Sequence, residues 1–184
     1  MNFSTCALPG LVVIEPRVFE DSRGYFYEAY NEAVFAAQGI SNRFVQDNQS
    51  QSVYGVIRGL HFQRPPHAQA KLIRVMEGTI LDVVVDIRPD SATFGQHYSL
   101  ELSAANRRQL FIPAGFAHGF SVLSPMAVIL YKCDQLYNKA SEGGIRYNDP
   151  SLAIDWKVDL DAATVSDRDG GLPLFRDSIA TFAS

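Results

Sequence analysis

The amino-acid sequence predicts an all-β fold: a jelly-roll β-sandwich or barrel with a few short helices, in one domain over residues 1–184. Three observations carry that expectation. Short extended runs rich in Val, Ile, Leu and Phe recur at close spacing, separated by Gly, Pro, Asn and Ser. Helical signals are scarce. No internal repeat, low-complexity tract or composition shift divides the 184 residues, a length that one core can serve.

Taken in order, Leu11 to Phe19 and Gly24 to Tyr30 read as strands. Asn31 to Gln38 (NEAVFAAQ) forms two helical turns, with Asn31 as cap and Gly39 as stop. Ile57 to Gln63, Leu72 to Met76 and Thr79 to Ile87 follow as strands, and Glu77-Gly78 is the compact turn of a hairpin between β-branched runs. Gln96 to Leu102, Gln109 to Ile112, Gly119 to Leu123 and Ala127 to Asp134 complete the set. So many closely spaced strands imply antiparallel closure. From Asp149 onward, through Pro150 and the Asp-rich stretch Asp159 to Asp169, a looser segment is expected to wrap the barrel.

Composition narrows the function. Hydrophobic residues at 47% and charged ones at 20% are ordinary for a globular protein. No apolar run approaches the ~20 residues of a membrane span. The N-terminal MNFSTCALPG lacks the pattern of a signal peptide. The two cysteines, Cys6 and Cys133, form no CxxC pair and argue against a disulfide or zinc scaffold. These features point to a cytoplasmic enzyme. A net charge of −4 disfavours nucleic acid, so any anionic ligand must be held by a few local cations.

The most informative hexapeptide is RGLHFQ, Arg58 to Gln63. On a strand, Gly59, His61 and Gln63 share one face, and Leu60 and Phe62 share the other. A histidine can exchange a proton near neutral pH, and an arginine suits phosphate or carboxylate. An acid–base centre beside an anion site is one reading; a half-buried strand-edge histidine and a surface arginine is the other. FIPAGFAHGF, Phe111 to Phe120, turns at Pro113 and Gly115 and then places His118 inward. His118 is either a core histidine or a second member of the site.

Two inward histidines raise the question of a metal, which typically needs three protein ligands and an open position. No HxH pair or nearby acidic ligand accompanies His61, and the cation Lys71 occupies the region where a carboxylate would stand. No metal is therefore expected. His67, in the Pro-rich RPPHAQ loop, is expected to be solvated, and His97 has no partner in view.

Lys71 is either an electrophile that stabilises an oxyanion or a lysine snorkelling from a strand end. Asp82, Val84 and Asp86 share one face of their strand, by default an outward acidic stripe; an Asp82 turned inward toward Lys71 or His61 is the alternative. Tyr131, ending the run Met126 to Leu130, is an amphipathic plug or a proton donor. Tyr137 could stack on a base. Asp169, in SDRDGG, is a solvated loop carboxylate or the partner that fixes the tautomer of His61.

Several blocks in register then carry a resemblance: EPRVFEDSRGYFYEAYN, FVQDNQS, IRGLHFQ, KLIRV, DVVVDIR, FIPAGFAHGF, YK and SEGGIRYND. Over essentially its full length the chain resembles the dTDP-4-dehydrorhamnose 3,5-epimerases. That resemblance implies a dimeric jelly roll of the cupin class, working without a cofactor. Its substrate would be a dTDP-linked 4-keto-6-deoxy sugar, inverted at C3 and C5 on the way to dTDP-L-rhamnose. By motif position His61 matches the family's base, Asp169 its dyad partner and Tyr131 its acid, while Lys71 matches a ligand-contacting position; on chemical grounds Lys71, with His118 as a second candidate, is suited to stabilise the enolate. Arg23, Phe26, Glu28, Gln46, Asn48, Arg58, His118, Glu142 and Arg168 match ligand-contacting positions, and Tyr137 the aromatic that stacks on thymine. Two positions depart from the pattern: Arg168 often carries Lys, and Leu136 stands where some members have a second aromatic. The latter bears on nucleotide packing rather than on the chemistry.

The chemistry agrees. A proton α to a ketone leaves at neutral pH only with a base and with a cation or donor at the carbonyl oxygen. Inversion requires a proton to return on the opposite face. A mono-epimerase acting at C3 or C5 alone would keep the same residues. A non-catalytic nucleotide-sugar-binding cupin would tolerate loss of His61, Tyr131 or Asp169, all of which are present. A metal-dependent cupin oxygenase would require the missing ligands.

Overall fold

In a computed structural model, which describes residues 1–180, two antiparallel sheets pack face to face, and a separate hairpin projects from them. The strands are β1 (Asn2–Thr5), β2 (Val12–Glu15), β3 (Phe19–Asp21), β4 (Gly24–Phe26), β5 (Gln46–Val53), β6 (Ile57–Gln63) and β7 (Lys71–Glu77). β8 (Thr79–Asp86), β9 (His97–Ser103), β10 (Gln109–Ile112), β11 (Phe116–Val122), β12 (Met126–Cys133) and β13 (Glu142–Gly144) follow. One sheet has the order β1-β2-β10-β7-β12-β5, the other β13-β6-β11-β8-β9, and β3 pairs only with β4. Among the described residues there are also three short α-helices, α1 (Glu32–Ala37), α2 (Asp167–Gly170) and α3 (Phe175–Ala180), and one 3-10 turn at Lys139–Ser141. The all-β jelly roll expected from the sequence is the observed architecture.

Side-chain alternation sorts the barrel into an inside and two outer layers. Ile73 and Val75 of β7, Leu110 and Ile112 of β10 and Ile129 of β12 meet Ile80 and Val84 of β8 and Phe116 and Phe120 of β11 in the interior. Each such burial contributes roughly 1.5–3 kcal/mol. On one outer face Phe35 of α1 packs with Ile14, Leu72 and Phe111. Asn31 caps α1 as expected: its Oδ1 accepts from the N–H groups of Ala33 (3.1 Å) and Val34 (3.3 Å). On the other face Ile145, Leu152, Ile154 and Trp156 cover Val83, Val85 and Ile87. The C-terminal segment does wrap the barrel, but tightly: Trp156 is buried, and its Nε1–H donates to the carbonyl of Tyr147 at 2.8 Å.

This covering corrects the expected acidic stripe. Parity groups Asp82 with Val84 as anticipated, yet that face points into the barrel, and the Val83–Val85 face lies under the C-terminal segment. With both faces of β8 covered, Asp82 and Asp86 are fully buried. Asp86 is satisfied by Arg88, Ser91 and Thr93, whose hydrogen bonds outweigh burial and hold its carboxyl well below the usual range.

The expected hairpin at Glu77-Gly78 is a second correction. β7 pairs with β10 and β12, whereas β8 pairs with β11 and β9, so the turn carries the chain from one sheet to the other. Gly78 has φ +76°, and a Cβ there would lie 2.0 Å from the carbonyl oxygen of Met126; only glycine fits the corner. The anticipated strand from Leu11 to Phe19 breaks after Glu15 and resumes as β3, and that from Gly24 to Tyr30 stops at Phe26. β1, β5 and β13 had no counterpart in the sequence reading. β5 (QDNQSQSV) is an edge strand without an apolar face to reveal it.

Candidate active site

The barrel interior changes character toward one end, where polar side chains replace the aliphatic ones. Continuing the inward parity of β7 beyond Val75 and Ile73 reaches Lys71. On β12, Ile129 is followed inward by Tyr131 and Cys133, and across the ladder these two pair with Asn48 and Gln46 of β5. On β6, Leu60 and Phe62 belong to the outer core, leaving His61 and Gln63 inward. These residues line one cavity of about 280 Å³, whose mouth is ringed by Gln69, Tyr137, Glu142 and Arg168.

Within it, Nε2 of His61 lies 2.7 Å from Oδ1 of Asp169. A carboxylate only accepts, so Nε2 carries the hydrogen, which leaves Nδ1 as the nitrogen that can take up a proton when the ring acts as a base. The backbone N–H of Gly59 donates to the second oxygen, Oδ2, at 3.1 Å. Gly59 has φ +124°, and a Cβ would lie 2.5 Å from the Cα of Gly119, so glycine permits the close approach of β6 to β11. Asp169 is buried on α2, whose cap Ser166 accepts from the Asp169 N–H at 3.1 Å. Burial opposes its ionisation, but hydrogen bonds from His61 and Gly59 and the charges of His61 and Arg168 outweigh it, holding the carboxyl below its usual range.

Burial also lowers the pKa of Lys71, an effect partly offset by Cys133, Asp82 and Glu142. Burial pushes the Tyr131 phenol up, with nearby Cys133 adding and Arg58 subtracting, so it keeps its proton at neutral pH. At the mouth the Tyr137 hydroxyl donates to Oε2 of Glu142 (3.0 Å), and Arg168 is ion-paired with the same carboxylate. Although burial works against it, these contacts and the charge of His61 hold Glu142 below the ordinary carboxyl range. The Tyr137 N–H donates to Gln46 Oε1 (3.0 Å), and Gln46 Nε2 donates to Asn48 Oδ1 (3.0 Å).

Of the residues singled out from the sequence, His61, Lys71, Tyr131, Gln46, Asn48, Tyr137, Glu142 and Arg168 therefore line one cavity, with Asp169 behind His61. Arg58 is exposed beside it, its Nε donating to Ser52 Oγ at 3.0 Å. His118 does not line the cavity: its Nε2 lies 2.9 Å from Oδ2 of Asp82, and both side chains are buried. Arg23, Phe26 and Glu28 lie elsewhere. Arg23 is paired with Asp21 (2.6 Å) in the β3–β4 hairpin, Phe26 is 70% exposed, and Glu28 Oε2 accepts from Asn31 Nδ2 at 3.1 Å. A separate hollow of about 510 Å³ along this hairpin includes Arg23 and Phe26 but no histidine.

Four residues that line the cavity are not functional candidates by sequence: Phe62, Gln63, Gln69 and Cys133. Gln63 ties the mouth to β6: its Nε2 donates to the carbonyl of His67 (2.6 Å), and its Oε1 accepts from the Asn138 N–H (2.7 Å). Its shared parity with His61 was the available signal. Cys133 shares parity with Tyr131 in the same way, whereas Phe62, on the opposite parity, and Gln69, in a loop, carry no such signal. His67, expected to be solvated, is instead held between Ser141 (2.8 Å) and Asn138 (3.4 Å), because the loop folds back on the mouth. Among the described residues no group of three or more His, Cys, Asp or Glu is placed to hold a metal ion. Nor is any described helix long and apolar enough to cross a membrane.

A histidine–carboxylate pair opening on a cavity with an ammonium and a protonated phenol is equipped to move a proton next to a carbonyl. Comparison with known proteins leads to the same chemistry. The family model described as dTDP-4-dehydrorhamnose 3,5-epimerase matches residues 5–177. The dTDP-4-dehydrorhamnose 3,5-epimerase of Methanothermobacter thermautotrophicus is 49% identical over 169 residues, covering 91% of each chain. The crystal structure of that enzyme from Elizabethkingia anophelis is 52% identical, with a TM-score of 0.92 over 96% of this chain and 97% of the other. The dTDP-6-deoxy-D-glucose-3,5-epimerase of Legionella pneumophila, solved with dTDP-4-keto-L-rhamnose, is 45% identical, with a TM-score of 0.91 over 95% and 93%. The chain belongs to the dTDP-4-dehydrorhamnose 3,5-epimerase family.

Proposed function

We propose that the protein inverts C3 and C5 of dTDP-4-dehydro-6-deoxy-D-glucose, an isomerase step toward dTDP-L-rhamnose, in the cytoplasm and without a cofactor. The observation that carries this is the His61–Asp169 pair, 2.7 Å apart, opening on a cavity that Lys71 and Tyr131 also line. His61 removes a proton α to the C4 ketone, and Asp169 stabilises the imidazolium that forms. Lys71 stabilises the enolate oxygen, and Tyr131 returns a proton on the opposite face. Both C–H bonds flank one carbonyl, so one cation serves both inversions. Each general acid or base is worth typically ~10²–10⁴-fold.

Nucleotide binding falls to the mouth: Arg58 and Arg168 at the diphosphate and Tyr137 against thymine, with Gln46, Asn48 and Glu142 positioning. Arg23, Phe26 and Glu28 lie outside their own chain's cavity. We assign them to a homodimer in which this hairpin reaches the partner's mouth. The exposed Phe19, Tyr25 and Phe26 of the hairpin fit such a role.

The purified protein should convert the 4-keto sugar nucleotide to the L-rhamno product at a rate unchanged by exhaustive chelation. No conversion would refute the function; a chelated enzyme revived by one specific metal would refute the cofactor-free mechanism.

A further inference from the structure

One buried group is explained by neither the fold nor the proposed mechanism. Asp82 meets His118 through Oδ2, but its Oδ1 is sealed from solvent and has no hydrogen-bond partner. A buried carboxylate with an unmet oxygen is costly unless an opposite charge answers it. Asp82 projects into the barrel beside Ile80 and Val84, and Lys71 projects into the same interior beyond Ile73.

The strands flanking Lys71 offer no permanent anion, since its register partners are Ile112 on β10 and Cys133 on β12. The groups that favour its charge are Cys133, Asp82 and Glu142. Burial pushes the Cys133 thiol up, leaving it neutral, and Glu142 is already engaged by Arg168 and Tyr137. Asp82 is the carboxylate that remains.

We propose that Asp82 is a positioning residue for Lys71, its buried carboxylate being the counter-charge that keeps Lys71 an ammonium at the reacting carbonyl. This rests on the proposed function for the role of Lys71. Without the counter-charge, desolvation would favour the neutral amine, which cannot stabilise an enolate. The other titratable or charged groups around Lys71 are Tyr131 and Cys133 on β12, His61 on β6, Tyr137 before β13, Glu142 on β13, Arg168 on α2 and, behind Asp82, His118 on β11. β10 (QLFI) contributes none.

The test compares the wild type with Asp82→Asn, which keeps the shape and removes the charge. kcat and KM are followed against pH, and Lys71 itself is titrated by competitive acetylation read by mass spectrometry. The Lys71 labelling midpoint and the alkaline limb of kcat should both move to lower pH by about one unit or more, with KM nearly unchanged. A labelling midpoint that stays in place overturns the proposal whatever the limb does. If the wild type fails to turn over the sugar nucleotide, the function is refuted, and the labelling still decides the present point. Should Asp82→Asn not fold, urea midpoints of Lys71→Met and Lys71→Met/Asp82→Asn decide instead. A double variant no less stable than Lys71→Met supports the pairing; one that is weaker, or unfolded, overturns it.

Discussion

Among the described residues are two histidine–aspartate pairs whose histidines stand on neighbouring strands, and they differ in everything but chemistry. His61 on β6 and His118 on β11 are register partners. His61 reaches Asp169, which returns from the C-terminal helix α2, and the two side chains are 33% and 6% exposed. His118 reaches Asp82 on the adjacent strand β8, with exposures of 9% and 0%. The first pair is completed late in the chain and opens on the cavity; the second is sealed inside the sheet. Proton exchange with a ligand requires access, so the open pair is suited to catalysis and the sealed one to holding charge and shape. A histidine–carboxylate contact alone does not identify a base; its exposure does.

Separating the pairs by mutation should give opposite profiles. The largest effect is expected on turnover. His61→Asn should lose at least ~10²-fold, whereas His118→Asn should stay within about tenfold, a change of about 1.4 kcal/mol in barrier. Equal losses in steady-state assays would erase the distinction. Stability should show the reverse order. His118→Ala leaves Asp82 buried without its donor and should cost roughly 1–3 kcal/mol or more, while His61→Ala, at a half-open position, should cost under about 1 kcal/mol. Urea denaturation of both variants reads this directly, and a larger loss for His61→Ala would contradict it.

The smallest expected effect sharpens the open pair alone. The folded pKa of Asp169 lies below its ordinary value of 3.8, so its contribution to stability is present above that value and is lost as pH falls through the lower one. The stability gap between wild type and Asp169→Asn should therefore be full near neutrality and close in acid, below about pH 4. A gap that stays constant down to about pH 2 would show that the carboxylate is not held in its charged form by the fold.

How much of this was legible depended on whether a residue's environment is set by its own strand or by a distant one. The parity of RGLHFQ places His61 and Gln63 together because alternation is a local rule, and the turn chemistry around Pro113 and Gly115 leads into β11 for the same reason. The inside–outside sense of β8 was not local. It depends on Ile145, Leu152 and Trp156 returning to cover Val83 and Val85, so the outward default for Asp82 fails and its inward alternative holds. β5 was invisible because its inward residues, Gln46 and Asn48, line a polar cavity and leave no hydrophobic stripe. Arg23, Phe26 and Glu28 fall in a matching motif, yet the fold puts Arg23 and Phe26 on a hairpin and Glu28 beside the α1 cap, all away from the cavity of their own chain. The Asp169 contact spans 108 residues and no local pattern announces it; the motif resemblance supplied it.

The central claim is that His61 forms an enolate which Tyr131 reprotonates on the opposite face, at two carbons flanking one carbonyl. Proton NMR of dTDP-4-dehydro-6-deoxy-D-glucose with the protein in D₂O tests it most directly, with Tyr131→Phe run in parallel. The wild type should place deuterium at both C3 and C5 of the L-rhamno product. Tyr131→Phe should still exchange an α-proton while forming little inverted product, since only a hydroxyl worth about 1 kcal/mol of hydrogen bonding is lost from the fold. Exchange at a single carbon in the wild type, or full inversion at both carbons by Tyr131→Phe at the wild-type rate, would contradict the account.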